Sequence, residues 1–390
     1  MKIFKYFLLS LILFNLTSFF LMVFGSGIGA LFSVILFGSV VFFYFLSPKP
    51  KLPIIFIVLG LSYFIISGLN YTGITRDFFM DVIKYFIFIV GAVHLAKDTT
   101  EKEFGLFAFI GAMSVLINAI IFSTAYGRYG GVYINPNAAG VVCLIAFSLT
   151  FYFKNLPFKL FTQLLIVTAG IMTLSRYFVI LLLLINIIAI IANRKNSISL
   201  LTGSFGIIVV LTVSSLFNLN TTRFSAFQSL FGSQEIQTQT MSQGSRSETW
   251  ALYTDVVLEN PVSGIGYKAL HGLQKSNYSN IHVNVGVHNT YLMVIGESGI
   301  ITFLLLILLY FSLFFRSIKH LKSNPEYMCI AVILVTFLLV SHNYFDNYLI
   351  LFTSIWLYFK VKNKPLISIQ SHSKPNYGQI DEVNTNLINS

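Results

Sequence analysis

Charge is what this chain has least of. Asp, Glu, Lys and Arg make up 10% of its 390 residues, while 56% are hydrophobic and 40 are Phe. A soluble domain of this size needs far more charged surface, so soluble classes are excluded and a polytopic membrane protein is expected. Cysteine is equally scarce. Cys143 and Cys329 both fall in or beside apolar segments, which leaves no disulfide framework or metal cluster and reads them as small hydrophobes in packed helices. Acidic residues number 14 and contain no Asp-x-Asp pair, so no metal or other cofactor is expected. The formal net charge of +11 is spread over short segments without a basic stripe, which argues against nucleic acid as a partner.

Long apolar runs are what the chain has instead. Twelve of them approach the ~17 to 25 residues that a bilayer requires, at about 4 to 24, 28 to 46, 52 to 69, 79 to 96, 104 to 124, 134 to 153, 156 to 174, 177 to 193, 198 to 217, 288 to 315, 327 to 341 and 344 to 361. The first resembles a secretory signal, with Lys2 and Lys5 before it, but its apolar run is longer and further spans follow at once, so it is read as a retained helix. The expected architecture is an all-α polytopic domain over 1 to 361 with one large external loop, 218 to 287, between spans nine and ten. A polar cytoplasmic tail, 362 to 390, follows.

Lysine and arginine set the orientation. With both termini in the cytoplasm, 17 of the 25 basic residues fall inside, as the positive-inside rule requires. Five of the eight outside are Arg: Arg76, Arg128, Arg176, Arg223 and Arg246. A guanidinium grips phosphate oxygens two at a time and stays charged when partly desolvated, so this face suits an anionic ligand. Pairing with outer carboxylates or snorkelling to headgroups explains any single Arg equally well.

Four outer stretches carry the chemistry. In Arg128 to Gly140, RYGGVYINPNAAG, the pair Asn135 and Asn137 suits either a hydroxyl-rich ligand such as a sugar or a turn that caps the next helix. In Thr173 to Tyr177 almost no polar sequence separates two spans, so Arg176 is held at the membrane surface with no acidic neighbour nearby in sequence. In the long loop, Ser245-Arg246-Ser247-Glu248 is a capping box that opens a helix with Trp250, Tyr253 and Val257 on one side. Asn260-Pro261 stops that helix, and Gly264 and Gly266 follow as a turn. Arg246 then sits in a first helical turn, where free amides already favour an anion. The loop ends in HVNVGVHNTYLMVIGESG, which places His288 and Asn289 at the water boundary. A histidine there can accept a proton from a hydroxyl near neutral pH. Glu297 lies about two and a half turns deeper at ~3.6 residues per turn, to orient a partner, pair with an incoming Arg or form a structural salt bridge. His271 and His282 read as plain loop residues, and the His282-x5-His288 spacing does not suit a helical metal pair.

Together, GIGYKALHG, HNTYL with ESG behind it, the LSRY turn and SRSETW resemble the O-antigen ligase and polymerase superfamily of bacterial membrane glycosyltransferases. RYGGVYINPN resembles a loop of its polymerase members. The resemblance implies a fold like that of C-type glycosyltransferases and a metal-independent, inverting transfer of glycan from undecaprenyl diphosphate at the outer face of the cytoplasmic membrane. By that analogy Arg176 and Arg246 hold the diphosphate and His288 activates the acceptor hydroxyl, with Arg128, Asn135, Asn137, Asn289 and Glu297 in support. The implied partners are the lipid-linked donor, a glycan acceptor, membrane lipids and, for a polymerase, a chain-length regulator. A polymerase is favoured over a ligase that delivers to lipid A core or protein. A flippase ranks below both, because no internal repeat appears and the ionisable residues sit at the outer boundary.

Overall fold

The computed structural model describes residues 1–122, 128–203, 205–206, 246–272 and 286–363. Among these every regular element is helical, the state in which a chain in lipid satisfies its own backbone groups. The helices are α1 Lys2–Leu13, α2 Leu16–Phe24, α3 Ser26–Leu46, α4 Ile54–Leu69, α5 Thr75–Gly91, α6 Val93–Asp98 and α7 Glu101–Ile121. They continue as α8 Pro136–Leu149, α9 Leu156–Met172, α10 Arg176–Ala192, α11 Arg246–Glu259, α12 Thr290–Ile318, α13 Pro325–Phe337 and α14 Tyr348–Asn363.

Polar caps start several of them. Thr100 and Glu103 form a reciprocal capping box on α7, and the side chains of Asn135, Asn155 and Asn289 each accept from backbone amides at the starts of α8, α9 and α12. The expected first span is a bent pair: Asn15, at φ 50°, turns α2 by 59° from α1. Of the twelve spans expected, Ser26–Leu46, Thr75–Asp98, Glu101–Ile121 and Thr290–Ile318 are helices long and apolar enough to cross a membrane, and the bent pair adds a fifth if it counts as one. Ile54–Leu69, Pro136–Tyr152, Leu156–Met172, Arg176–Ala192 and Pro325–Phe337 are shorter apolar helices. Most of the span expected at 198 to 217, and all of the tail from 364, lie outside the described residues.

The loops sort to two ends, as an up-and-down bundle requires. At one end Lys5 bonds Asp98 and Glu103, the Trp356 indole donates to the Thr99 carbonyl at 3.0 Å, and Lys360 pairs with Glu101 at 3.5 Å. Lys5, Lys360 and the segment around Lys97 and Lys102 were expected inside, and Trp356 within the last span. At the other end Tyr129 N donates to the Met172 carbonyl and Thr290 N to the Leu338 carbonyl, joining segments expected outside. Cys143 and Cys329 are buried and free, in keeping with their reading as packing residues.

Candidate functional site

The site begins with a break in α12. Gly299 has φ 75° and ψ −175°, so the helix expected to run unbroken from His288 to Phe315 starts instead at Thr290 and is interrupted one turn past Gly296. The GIGYKALHG loop supplies the hydrogen bonds that the break removes: Ile265 N donates to the Gly296 carbonyl at 2.8 Å, Gly266 N to the Glu297 carbonyl at 3.2 Å, and Ile300 N to the Pro261 carbonyl at 2.8 Å. Gly264, at φ 65°, makes this approach possible, since a Cβ there would lie 2.3 Å from the Glu297 carbonyl carbon. Helix α4 closes the other side. Its Ser67 carbonyl accepts from Tyr267 N at 3.0 Å, and the Asn70 amide donates to the Gly264 carbonyl at 3.0 Å.

Glu297 is fully buried at the centre of this joint. One carboxylate oxygen accepts from the Tyr63 hydroxyl at 2.5 Å and the other from Leu270 N at 3.0 Å, with His271 Nε2 3.7 Å away. Its described partners include no Arg, because the loop and α4 have taken both oxygens. Tyr63 is itself held by stacking on Phe345 at 3.7 Å between centroids. Asp81 anchors the loop from α5, accepting from the Tyr267 hydroxyl at 2.9 Å and Lys268 Nζ at 2.7 Å. Burial alone would lower the Lys268 pKa, but the hydrogen bond and charge of Asp81 outweigh it and hold the ammonium above its usual value.

Three histidines gather above this joint. His342, in the turn after α13, places its ring 4.5 Å from that of His288 and 5.1 Å from that of His271. His288 is exposed and has φ 46°, a left-handed conformation at the residue expected to act as base. His271, read from sequence as a bystander, belongs to the cluster; His282 lies outside the described residues. His342, Tyr63 and Asp81 had been passed over. A usable signal existed for two of them: His342-Asn343 repeats the His288-Asn289 pair at a second helix boundary, and Asp81 is a carboxylate inside an apolar helix. A cleft with about 340 Å³ of empty space runs beneath, lined by Tyr63, Asp81, Lys268, His271, His342 and Asp346.

Burial, then the charges of His342 and Lys268, push the His271 pKa down to about 3, against a weaker opposing pull from Asp81; burial and His288 push His342 down to about 4. Both imidazoles are therefore neutral at pH 7 and available as acceptors. With folded values below the unfolded 6.5, the unfolded chain takes up protons first as pH falls. Stability is unaffected above about pH 6.5 and drops between pH 6.5 and 4, by at most ~1.4 kcal/mol per pH unit for each ring. The melting temperature of the detergent-purified protein should fall over that window, and His342→Gln should flatten the fall. A pH-independent melting temperature from 7 to 5 would contradict this charge assignment.

The remaining expected residues are placed as follows. Arg128 Nε donates to the Thr173 carbonyl at 3.3 Å and Nη2 to Asn137 Oδ1 at 3.2 Å, and that same oxygen accepts from Ser175 Oγ at 3.2 Å. This cross-link fixes the LSRY turn, in which Leu174 has φ 47°, and so fixes where α10 begins. Asn135 and Asn289 spend their side-chain oxygens on helix caps. Arg176 is exposed at the start of α10; next to it, the Tyr177 hydroxyl donates to the Ile333 carbonyl at 3.0 Å. Thr290 bonds Leu338 just past the same end of α13, so Arg176 and His288 lie at one end of the bundle. Arg246 is the first residue of α11, whose Tyr253 and Val257 are buried as expected; the Arg246 side chain and Ser245 lie outside the described residues.

Residues 161–307 match the family described as O-antigen ligase. The match supports a place in the O-antigen ligase and polymerase superfamily for this segment. The matched segment spans α9 to the middle of α12 and includes Arg176, Arg246, His271, His288 and Glu297, while Tyr63, Asp81 and His342 lie beyond it. No curated protein matches the chain.

Proposed function

We propose that this chain is a membrane glycosyltransferase that moves a glycan from undecaprenyl diphosphate onto an acceptor hydroxyl, at the end of the bundle where His288 lies. The observation that carries the reading is His288 itself: exposed, left-handed, inside a segment that matches the O-antigen ligase family, and edge-on to a half-buried neutral His342. The excess of basic residues expected at the opposite end supports an orientation with this end toward the cell exterior. His288 takes the acceptor proton as the hydroxyl oxygen attacks the anomeric carbon. The bond from that carbon to the diphosphate oxygen breaks, with inversion, and the charge that grows on the leaving diphosphate is met by Arg176 and Arg246. Arg246 is helped by the free amides of the α11 N-terminus. Arg128 acts indirectly by fixing the turn that presents Arg176, and Glu297 by tying the His271 loop to α12.

The acceptor is another lipid-linked repeat, which makes the activity a polymerisation; RYGGVYINPN supports this. A ligase remains the second reading because the matched family carries that description. Detergent-purified protein given a lipid-linked repeat should lengthen it without a second compartment, which a flippase cannot do. A strain lacking the protein should carry single repeats on its core for a polymerase, and unattached long glycan on carrier lipid for a ligase. Arg246→Ala should lower turnover about 10²- to 10³-fold, with Arg246→Lys recovering part of it, because a lysine keeps the charge but loses the two-pronged grip. Turnover near wild type in Arg246→Ala would remove Arg246 from the site.

A further inference from the structure

The helices that build the histidine cluster also build a second cleft at their opposite ends. It lies between the start of α4, the end of α12 and the end of α14, and is an open groove of about 540 Å³. Ile55, Leu309 and Leu313 form apolar walls, and Lys51, Arg316 and Lys362 stand around it. Arg316 is 17 residues past the Gly299 break, ~25 Å at 1.5 Å per residue, so the cleft sits nearly one hydrocarbon thickness from that break, toward the other membrane boundary.

What distinguishes this place from an ordinary lysine-bearing helix end is the absence of a counter-charge. No carboxylate lines the cleft among the described residues. The described acids at this end are engaged elsewhere: Asp98 and Glu103 with Lys5, Glu101 with Lys360 and the Tyr327 hydroxyl, Glu326 with the Asn324 amide. Lys362 Nζ donates to the Tyr358 hydroxyl at 3.0 Å and lies 5.2 Å from the centre of that ring, with no carboxylate partner among the described residues. Three cations converging over an apolar slot are complementary to a ligand with an anionic head and hydrocarbon tails.

We infer that this cleft is a binding site for an anionic glycerophospholipid of the inner leaflet. The lipid phosphate is held by Arg316, Lys51 and Lys362, and an acyl chain lies along Leu52, Ile54 and Ile55. A guanidinium fork suits the phosphodiester, and basic pockets between membrane helices on the cytoplasmic side recognise such headgroups. Occupying the slot ties α4, α12 and α14 together at the ends remote from the histidines.

The test uses the full-length protein in detergent, titrated with phosphatidylglycerol, with phosphatidylcholine and with inorganic phosphate; bound lipid is read by native mass spectrometry and stabilisation by melting temperature. Phosphatidylglycerol should be retained about tenfold more than phosphatidylcholine, and inorganic phosphate at equal concentration should not reproduce the stabilisation. The preference should vanish in Lys51→Gln/Arg316→Gln/Lys362→Gln, weaken in Arg316→Gln alone, and persist in Lys322→Gln, an exposed lysine at the same end but outside the cleft. Arg316→Gln alone decides the matter if the triple variant does not fold. Equal retention of the two lipids, equal stabilisation by free phosphate, or a preference that survives Arg316→Gln undiminished overturns the site. So does an equal loss in Lys322→Gln, which would assign the preference to bulk charge.

Discussion

His288→Ala and His288→Asn should both lose glycan transfer by about 10²- to 10⁴-fold, the range expected when a positioned general base is removed. They should do so while leaving membrane insertion and melting temperature close to wild type, because the side chain is exposed. The asparagine variant is the sharper test. Asn tolerates a left-handed backbone at least as well as His, so the φ of 46° is kept while the imidazole proton acceptor is gone. A purified His288→Asn protein that still lengthens lipid-linked glycan at an appreciable rate would move the base elsewhere in the cluster, and His342, 4.5 Å away ring to ring, is the residue to replace next.

Gly299→Ala should be the most damaging single methyl group in the described chain. At φ 75° and ψ −175° the backbone is in a region open essentially to glycine alone, and a Cβ built there would lie 1.9 Å from the Val262 carbonyl oxygen. The clash is with backbone, so no rotamer change relieves it. Either α12 straightens and expels the 261–271 loop, or the loop retreats; both take Leu270 N and His271 away from Glu297. The expected cost is more than ~3 kcal/mol, seen as a lower melting temperature together with loss of transfer. Gly27→Ala is the control: a Cβ at Gly27, inside α3, meets nothing within 4 Å, so the change should stabilise by ~0.5 to 1 kcal/mol. Gly299→Ala with wild-type melting and activity would refute the account of the break.

Local features of the chain were legible wherever a residue acts on its own neighbourhood. Asn260-Pro261 does end α11, Gly264 and Gly266 do turn with positive φ, and Trp250, Tyr253 and Val257 do share a face. Features that depend on a partner far along the chain were not. VIGESGIITF continues an apolar helical pattern, and nothing in that pattern announces that a loop some thirty residues earlier would replace hydrogen bonds across Gly299. Arg128 looks like a free outer cation until Thr173 and Asn137 are seen to hold it, and Glu297 looks ready for an Arg until Tyr63, 234 positions away in sequence, occupies it.

Read alone, the sequence led to the expectation of an all-helical membrane protein, and every regular element among the described residues is helical. Hydrophobic run length and the lysine bias act segment by segment, and neither needs a fold to be read. Only the tertiary structure decided which polar side chains remain available to a substrate and which are consumed as staples. A buried donor or acceptor must be paired by whatever packs against it, and in this chain those partners arrive from helices that the sequence keeps far apart.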